Sequence, residues 1–400
     1  MTTKKKCLIL LPRKIFPLIG GYANYRKNLI EILNRNYQLT VIIISDSKIT
    51  EDEKKFFETQ SYNYQYITIS KWKSILGVLR AFFSKLPLQI GYYYFSKVQK
   101  NIDKIIGEQN ILVGSLIRSM KYFENAPKNC LIINDMADSI ALNYKNSESQ
   151  VSSKRWKFIY KLESDRLLNY EKYWIKKSHI TTVFNYQEYN YLKQFGNVKL
   201  MPHGVNENII SYNKRNNKFS SSVVFMGKMN YQPNIDAVKW YINNVHINIG
   251  EKIPFIIVGA YPTAELINLS KNYPNITVTG FLEDLYEIIQ SAMLVVAPMQ
   301  TGAGIQNKVL EAMALGTINI ITTLAANPII GAENNVHFII ADSSEEFISK
   351  ITDVSLYPNK YLPLKTASHQ FIKNKYTWQS FENQYIKSIE EELKKIFIQN

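Results

Sequence analysis

Gly302-Ala-Gly-Ile-Gln-Asn-Lys-Val-Leu-Glu-Ala-Met-Ala-Leu-Gly316 follows directly on an apolar run, Met293 to Ala297. The run reads as a strand, the glycines as a loop, and the rest as a short helix ended by Gly316. A flexible loop feeding a helix start aims free N–H groups and the positive dipole end at one spot, which suits a phosphate. Lys308 and Glu311, three residues apart, share one helix face, while Leu310 and Met313 can turn toward the sheet. A cation in the first turn opposes the helix dipole, as expected where a ligand supplies the missing negative charge. This is the reading of a nucleotide-diphosphate site, with Lys308 at phosphate and Glu311 accepting from ribose hydroxyls. The plainer alternative is a surface ion pair contributing a few tenths of a kcal/mol.

Outward from this stretch, strand and helix patterns alternate, which predicts parallel α/β sheets. Cys7 to Leu11 reads as the first strand, followed by a Gly20-Gly21 loop and a helix from about Ala23 to Leu33. Leu39 to Ile44, Cys130 to Asn134, Ile180 to Phe184 and Lys199 to Met201 read as further strands, with a helix over about 153–177. Asp135 closes the apolar run that begins at Cys130. Asn206 to Ser220 is polar and reads as a linker, and a last helix runs from about Trp378 to Phe397. The division expected is 1–205, 206–377 and a final helix 378–400.

Four hundred residues with 46% hydrophobic content can build two or three cores. Cys7 and Cys130 both fall in strand-like runs, which reads as buried thiols in a reducing cytoplasm and not as a disulfide framework. The apolar stretch near the amino terminus is too short for a signal peptide, and no run suggests a spanning helix. Residues 1–200 carry 32 Lys and Arg against 16 Asp and Glu, so they hold the whole net charge of +15. That charge reads equally as a solvated basic surface or as one that suits an anionic membrane; nucleic acid is set aside because no recognition-helix, zinc or aromatic RNA-binding signature accompanies it. Within Lys71 to Lys100, Trp72, Ile75, Leu76, Leu79 and Phe83 recur at helical spacing among Lys71, Lys73, Arg80 and Lys85. That pattern fits a helix lying in a membrane interface and equally one packed on a sheet.

Other chemistry is thinly represented. The five histidines show no metal spacing, and Glu51-Asp-Glu53 resembles a metal triplet only in composition. There is no Gly-x-Ser-x-Gly, His-Glu-x-x-His or Cys-x-x-Cys motif, and the absence of Gly-x-Gly-x-x-Gly argues against an NAD enzyme. Gly227-Lys228 follows the strand-like Val223 to Met226. Asp135, Asp138 and Arg118 lie near predicted strand ends, although either aspartate could cap a helix instead. His203 sits in the Pro202-His-Gly204 turn.

The Lys308 to Gly316 run resembles the nucleotide-sugar signature of retaining GT-B glycosyltransferases of family 4. Val224 to Trp240, Phe255 to Gly259, Val278 to Phe281 and Val295 to Pro298 occur in that family's order. The Gly-x-Gly-Ile-Gln-Asn-Lys spelling is similar to a branch associated with exopolysaccharide assembly. The resemblance is strong over 223–342 and weaker before residue 205. It implies two Rossmann-like domains facing a cleft, with acceptor bound by the first and donor by the second. It implies Lys228, Lys308 and Glu311 as the catalytic groups, and Gly20, Gly21, Gly227, Ala303, Gly304, Ile305, Gln306 and Asn307 around the donor. Arg118, Asp135, Asp138 and His203 are further candidate contacts. Many members carry a second glutamate where this chain has Ala303, which leaves the donor sugar open. The implied reaction moves a sugar, with retention and without a cofactor or metal, to a saccharide acceptor, expected to be lipid-linked. The expected setting is cytoplasmic, peripheral to the inner membrane face, in capsule, O-antigen or other surface polysaccharide synthesis. A nucleotide-sugar epimerase of the same fold, or a nucleotide-binding partner without turnover, are the alternatives.

Overall fold

Runs of Val, Ile and Leu without polar alternation fit strands covered by helices on both faces, and thirteen strands form in the described residues. Seven are β1 (Lys6–Leu11), β2 (Gln38–Ser45), β3 (Asn63–Thr68), β4 (Ile111–Ser115), β5 (Leu131–Ala137), β6 (Ile180–Val183) and β7 (Val198–Leu200). Six more are β8 (Val223–Met226), β9 (Phe255–Val258), β10 (Ile276–Gly280), β11 (Leu294–Ala297), β12 (Asn319–Ile321) and β13 (Ile339–Ile340). The computed structural model describes residues 4–18, 21–148, 154–250, 253–302 and 304–399.

The chain folds as two compact units, residues 1–201 with 382–400, and residues 202–381. The first holds a seven-stranded sheet in the order β3-β2-β1-β4-β5-β6-β7, and the second a six-stranded sheet in the order β10-β9-β8-β11-β12-β13. All paired strands run parallel. Strand order reverses between β1 and β4 in one unit, and between β8 and β11 in the other. Each reversal opens a crevice at the carboxyl ends of its central strands, where open α/β sheets bind ligands.

In the second unit, Val223 to Met226, Phe255 to Val258 and Leu294 to Ala297 are all buried in one core with Val309, Leu310 and Met313. That burial fixes which way the Asn307–Ala314 helix faces. Gly227 and Gly259, one past β8 and one past β9, approach so closely that a Cβ on Gly259 would lie 1.7 Å from the Gly227 carbonyl oxygen. Only glycine fits at residue 259.

Several sequence expectations change. Residues 206–220 do not form a free linker. Ile209 is buried in the second core, the Tyr212 hydroxyl donates to Asp284 at 2.8 Å, and the Asn216 N–H donates to Ser291 Oγ at 2.7 Å. Short apolar insertions at Ile209, Ile210 and Tyr212 outweigh the polar composition. The last helix is Trp378–Gln399. Trp378 anchors within the second unit, its ring stacked on His203 with centroids 6.2 Å apart. From Glu382 onward the helix belongs to the first unit, where Tyr385, Ile389 and Leu393 are buried and Glu390 accepts from Lys5 and Tyr37, both at 2.9 Å. Cys7 and Cys130 are buried free thiols, and burial raises the thiol pKa of each.

Candidate functional site

The second unit gathers its polar groups at the ends of β8 and β11. Asn234, in the first turn of the Gln232–Tyr241 helix, is buried. Its side-chain N–H donates to the Lys228 carbonyl at 2.9 Å, and its Oδ1 accepts a short hydrogen bond from Lys308 Nζ. One amide thus fixes both the loop after β8 and the lysine of the Asn307–Ala314 helix. The Gly227 position is tight for the same reason: a Cβ there would lie 2.6 Å from Asn234 Nδ2. Lys308 Nζ also lies 4.8 Å from the Phe225 ring centroid and 3.3 Å from Met299 Sδ.

These neighbours give Lys308 no negative charge. Burial lowers its pKa to about 7. Glu311, one turn along, is raised to about 7 by burial, and the Tyr286 hydroxyl, which donates to it at 3.4 Å, pulls the other way. Among the described residues no ion pair joins Lys308 to Glu311, which removes the surface-pair alternative. Two opposite charges on one helix face are therefore each desolvated and each short of a partner, the state expected of a pocket that a charged ligand completes.

The helix start is open in the same sense. Gln306 occupies its N-cap position without a side-chain cap hydrogen bond, and the first turn has no acidic residue. Gly302 and Gly304 have φ of 112° and 80°, which favour glycine and let the loop turn sharply into the helix. Ile305, Gln306 and Asn307 complete this approach and are half-buried. His203, buried in its turn, hydrogen-bonds Asn307; burial lowers its pKa, and the bonds to Gly204 and Asn307 raise it. Lys228 is exposed, with Nζ 5.4 Å from the Tyr261 ring centroid. The structure thus brings together Gly227, Lys228, His203, Gly304 to Asn307, Lys308 and Glu311. Ala303 and Gly20 lie outside the described residues.

Sequence reasoning missed Asn234, Phe225, Met299 and Tyr286. Asn234 offered one signal, a polar side chain in the first turn of a helix that opens just after Gly227-Lys228. The other three read as core.

Gly21, Arg118, Asp135 and Asp138 belong to the first unit. Gly21 is exposed at the start of the Gly21–Asn36 helix. The strand that holds Asp135 runs two residues further than its apolar pattern suggests, so Asp135 is inside β5 and fully buried. Its carboxylate accepts a short bond from the buried Arg26 guanidinium, one from Thr182 Oγ1 at 2.7 Å and one from Tyr25 at 3.2 Å. Every one of these partners is internal. Asp138 follows Ala137, whose φ is 64°. Burial raises the Asp138 pKa to about 6, and Arg26 pulls it back down. Two further carboxylates that sequence reasoning did not single out hold this loop. Glu188 accepts from the Ser139 N–H at 2.8 Å, while Glu171 accepts from Ser139 Oγ at 2.6 Å and the Ala141 N–H at 3.1 Å. Arg118 is half-buried, with Nε donating to Gln89 Oε1 at 2.7 Å.

Residues 220–355, which contain the Gly227 to Glu311 cluster, match the family model for glycosyl transferases group 1. No curated protein sequence matches the chain. Among solved structures, Alr3699/HepE from Anabaena, in complex with UDP, is 12% identical with a TM-score of 0.66, covering 97% of this chain and 100% of that one. Sucrose-phosphate synthase from Thermosynechococcus elongatus is 14% identical with a TM-score of 0.66, covering 97% and 99%. The pneumococcal O-GlcNAc transferase GtfA, in complex with UDP and GlcNAc, is 10% identical with a TM-score of 0.68, covering 98% and 99%. At these identities the likeness is one of fold, and that fold is the GT-B fold of glycosyltransferases. The domain match and the fold together support a glycosyltransferase.

Proposed function

We propose that the chain transfers a sugar, with retention, from a nucleotide-diphosphate sugar to a hydroxyl of a saccharide acceptor. The observation that carries this reading is Lys308, a half-buried, desolvated lysine without a counter-charge, beside an uncapped helix start at the switch point of the second sheet. The bond from the anomeric carbon to the diphosphate oxygen breaks, and the acceptor oxygen bonds to that carbon on the same face. The acceptor proton passes to the departing diphosphate. Lys308 and Lys228 stabilise the charge that builds on the leaving group, and so stand where other enzymes use a metal ion. Glu311 accepts hydrogen bonds from the ribose. Arg118 and Asp138 are proposed as acceptor contacts on the first unit. The acceptor is proposed to be lipid-linked, and the product part of a surface polysaccharide assembled at the inner face of the plasma membrane.

The test is thermal stabilisation by a panel of nucleotides and nucleotide sugars, with Lys308→Ala and Glu311→Ala beside the wild type. A ligand at 100 times its Kd adds about 2.7 kcal/mol. A shift with one nucleotide sugar, lost in both variants, supports the donor site; no shift with any of them rejects it. Asn234→Ala should weaken that binding about tenfold or more, because it releases a charge-assisted hydrogen bond on Lys308. An unchanged Kd by calorimetry would show that Lys308 needs no such support.

Proton linkage gives a second measurement. The diphosphate of a nucleotide sugar does not titrate near neutrality. Binding needs Lys308 charged and Glu311 ionised. Above about pH 7 the free protein holds Lys308 neutral, so binding takes up a proton; below about pH 7 it holds Glu311 protonated, so binding releases one. Calorimetry in buffers of different ionisation enthalpy should show uptake at pH 8 and release at pH 6. Linkage of one sign at both pH values would contradict these assignments.

A further inference from the structure

The helix Lys71–Phe83 is packed inside out. It buries Ser74 and Ala81, with Gly77 and Val78 half-buried between them, and it displays its large apolar side chains. Trp72 is 77% exposed, Phe83 83%, and Ile75, Leu76, Leu79 and Phe82 each about half. The small face is required by its neighbour, the Leu88–Tyr93 helix. A Cβ on Gly77 would lie 2.1 Å from the Gly91 carbonyl oxygen, and one on Gly91 would lie 2.5 Å from the Ala81 Cβ. The two backbones cross in contact, so no larger residue can turn inward. An amphipathic helix normally packs its apolar stripe on the sheet; here the stripe is turned outward and left largely uncovered by the described residues.

The charge around it is mostly positive. From Lys71 to Ile102 the chain has six lysines and arginines and no aspartate or glutamate. Lys71, Lys73, Arg80 and Lys85 are exposed along the helix and its C-terminal turn. Arg166, from the Lys154–Lys177 helix, places its guanidinium 5.8 Å from the Phe82 ring centroid. Among the described residues, Asp46 lies 3.7 Å from Lys71 Nζ, and the buried Glu163 is taken up by the N–H groups of Leu88 and Gln89 at the start of the neighbouring helix. A stripe of Trp, Phe, Leu and Ile bordered by cations matches the boundary between lipid headgroups and acyl chains. A protein partner would have to bring acidic groups to every side of an apolar groove, whereas an anionic bilayer presents both layers at once.

We propose that the Lys71–Phe83 helix is an in-plane anchor that docks the first unit on an anionic lipid surface, with Trp72, Ile75, Leu76, Leu79, Phe82 and Phe83 inserted. The proposal deepens the reading of a lipid-linked acceptor, since it brings the acceptor-binding unit to the plane where such an acceptor lies. It needs no part of the donor site.

The experiment is flotation of the full chain with vesicles of phosphatidylcholine alone and of phosphatidylcholine with an equal part of phosphatidylglycerol. The wild type should float with the anionic vesicles and at least tenfold less with the neutral ones. Trp72→Ser with Phe83→Ser, both at exposed positions, should abolish flotation while leaving the melting temperature unchanged. Lys73→Ala with Arg80→Ala should weaken anionic binding and remove its salt dependence. Failure of the wild type to float overturns the proposal, as does full flotation of the Trp72 and Phe83 variant. A wild-type dimer in solution that the variant converts to monomer, without vesicle binding, assigns the face to a second copy and also overturns it. Nucleotide-sugar stabilisation, measured on the same samples, reports the donor site independently, so either reading can fail while the other stands.

Discussion

Lys308→Met will reduce sugar transfer by about two to three orders of magnitude, the loss seen when one preorganised donor is removed from developing charge. The effect should fall on turnover as well as on donor affinity, because the leaving diphosphate gains charge as its bond to the sugar breaks. The same substitution should not harm the ligand-free fold. Burial disfavours the charged lysine, so the folded state of the wild type carries a cost that is full below about pH 7 and declines as pH rises toward the ordinary lysine value. Methionine removes that cost and fills similar space beside Phe225 and Met299. Against this, Asn234 Oδ1 loses its donor, at about 1 kcal/mol. The melting temperature of the variant without ligand should therefore exceed that of the wild type at pH 6, with the difference shrinking at pH 9. A fall in melting temperature at pH 6 together with full activity would mean that Lys308 is a structural residue.

Asp135→Asn should act in the opposite way. It leaves the Arg26 guanidinium charged, fully buried and without its carboxylate. Breaking one side of such a pair costs about 3–5 kcal/mol, a large share of a domain's stability. Thr182 and Tyr25 also lose an ionised acceptor. Denaturant unfolding should show the loss in a transition of the first unit, while nucleotide-sugar binding to the second unit keeps its Kd below that transition. Asp135 is then a residue that holds β5 to the Gly21–Asn36 helix. If stability is unchanged and transfer alone falls, Asp135 contacts the acceptor directly.

The two outcomes mirror how differently the sites could be read in the sequence. Lys308 and Glu311 could be singled out, and their shared helix face foreseen, from local facts alone: a strand, two glycines, a helix start and a spacing of three. Asn234 was not, because its importance lies in reaching Lys308 across 74 residues of chain. Phe225 and Met299 are apolar residues in apolar runs, and nothing local separates a wall of a site from ordinary core. Asp135 was misplaced by two residues of strand. The pattern breaks where Asn134 and Asp135 interrupt the apolar run, but burial continues because Arg26 supplies a countercharge. The parallel sheets followed from alternating elements, as their apolar strands are a direct result of cover on both faces. Residues 71–83 showed their period and not their direction. Periodicity reports that a helix has two faces; Ser74, Gly77 and Ala81, four residues or fewer apart, carried the information about which one is inside.

The split membership of the chain has a consequence for how the protein is made. The second unit is one continuous segment, residues 202–381, while the first is completed only by residues 382–400. During synthesis, the segment that comes second can close its core before the segment that came first. Until the last helix is made, Tyr37 and Lys5 wait for Glu390, Arg35 waits for Glu382, and the pocket that Tyr385, Ile389 and Leu393 fill stays open. The older half of the nascent chain, with its concentrated positive charge and outward apolar helix, is thus the half exposed longest to chaperones. Emergence of residues 382–400, and not emergence of the first 201, sets the moment at which it becomes a finished fold.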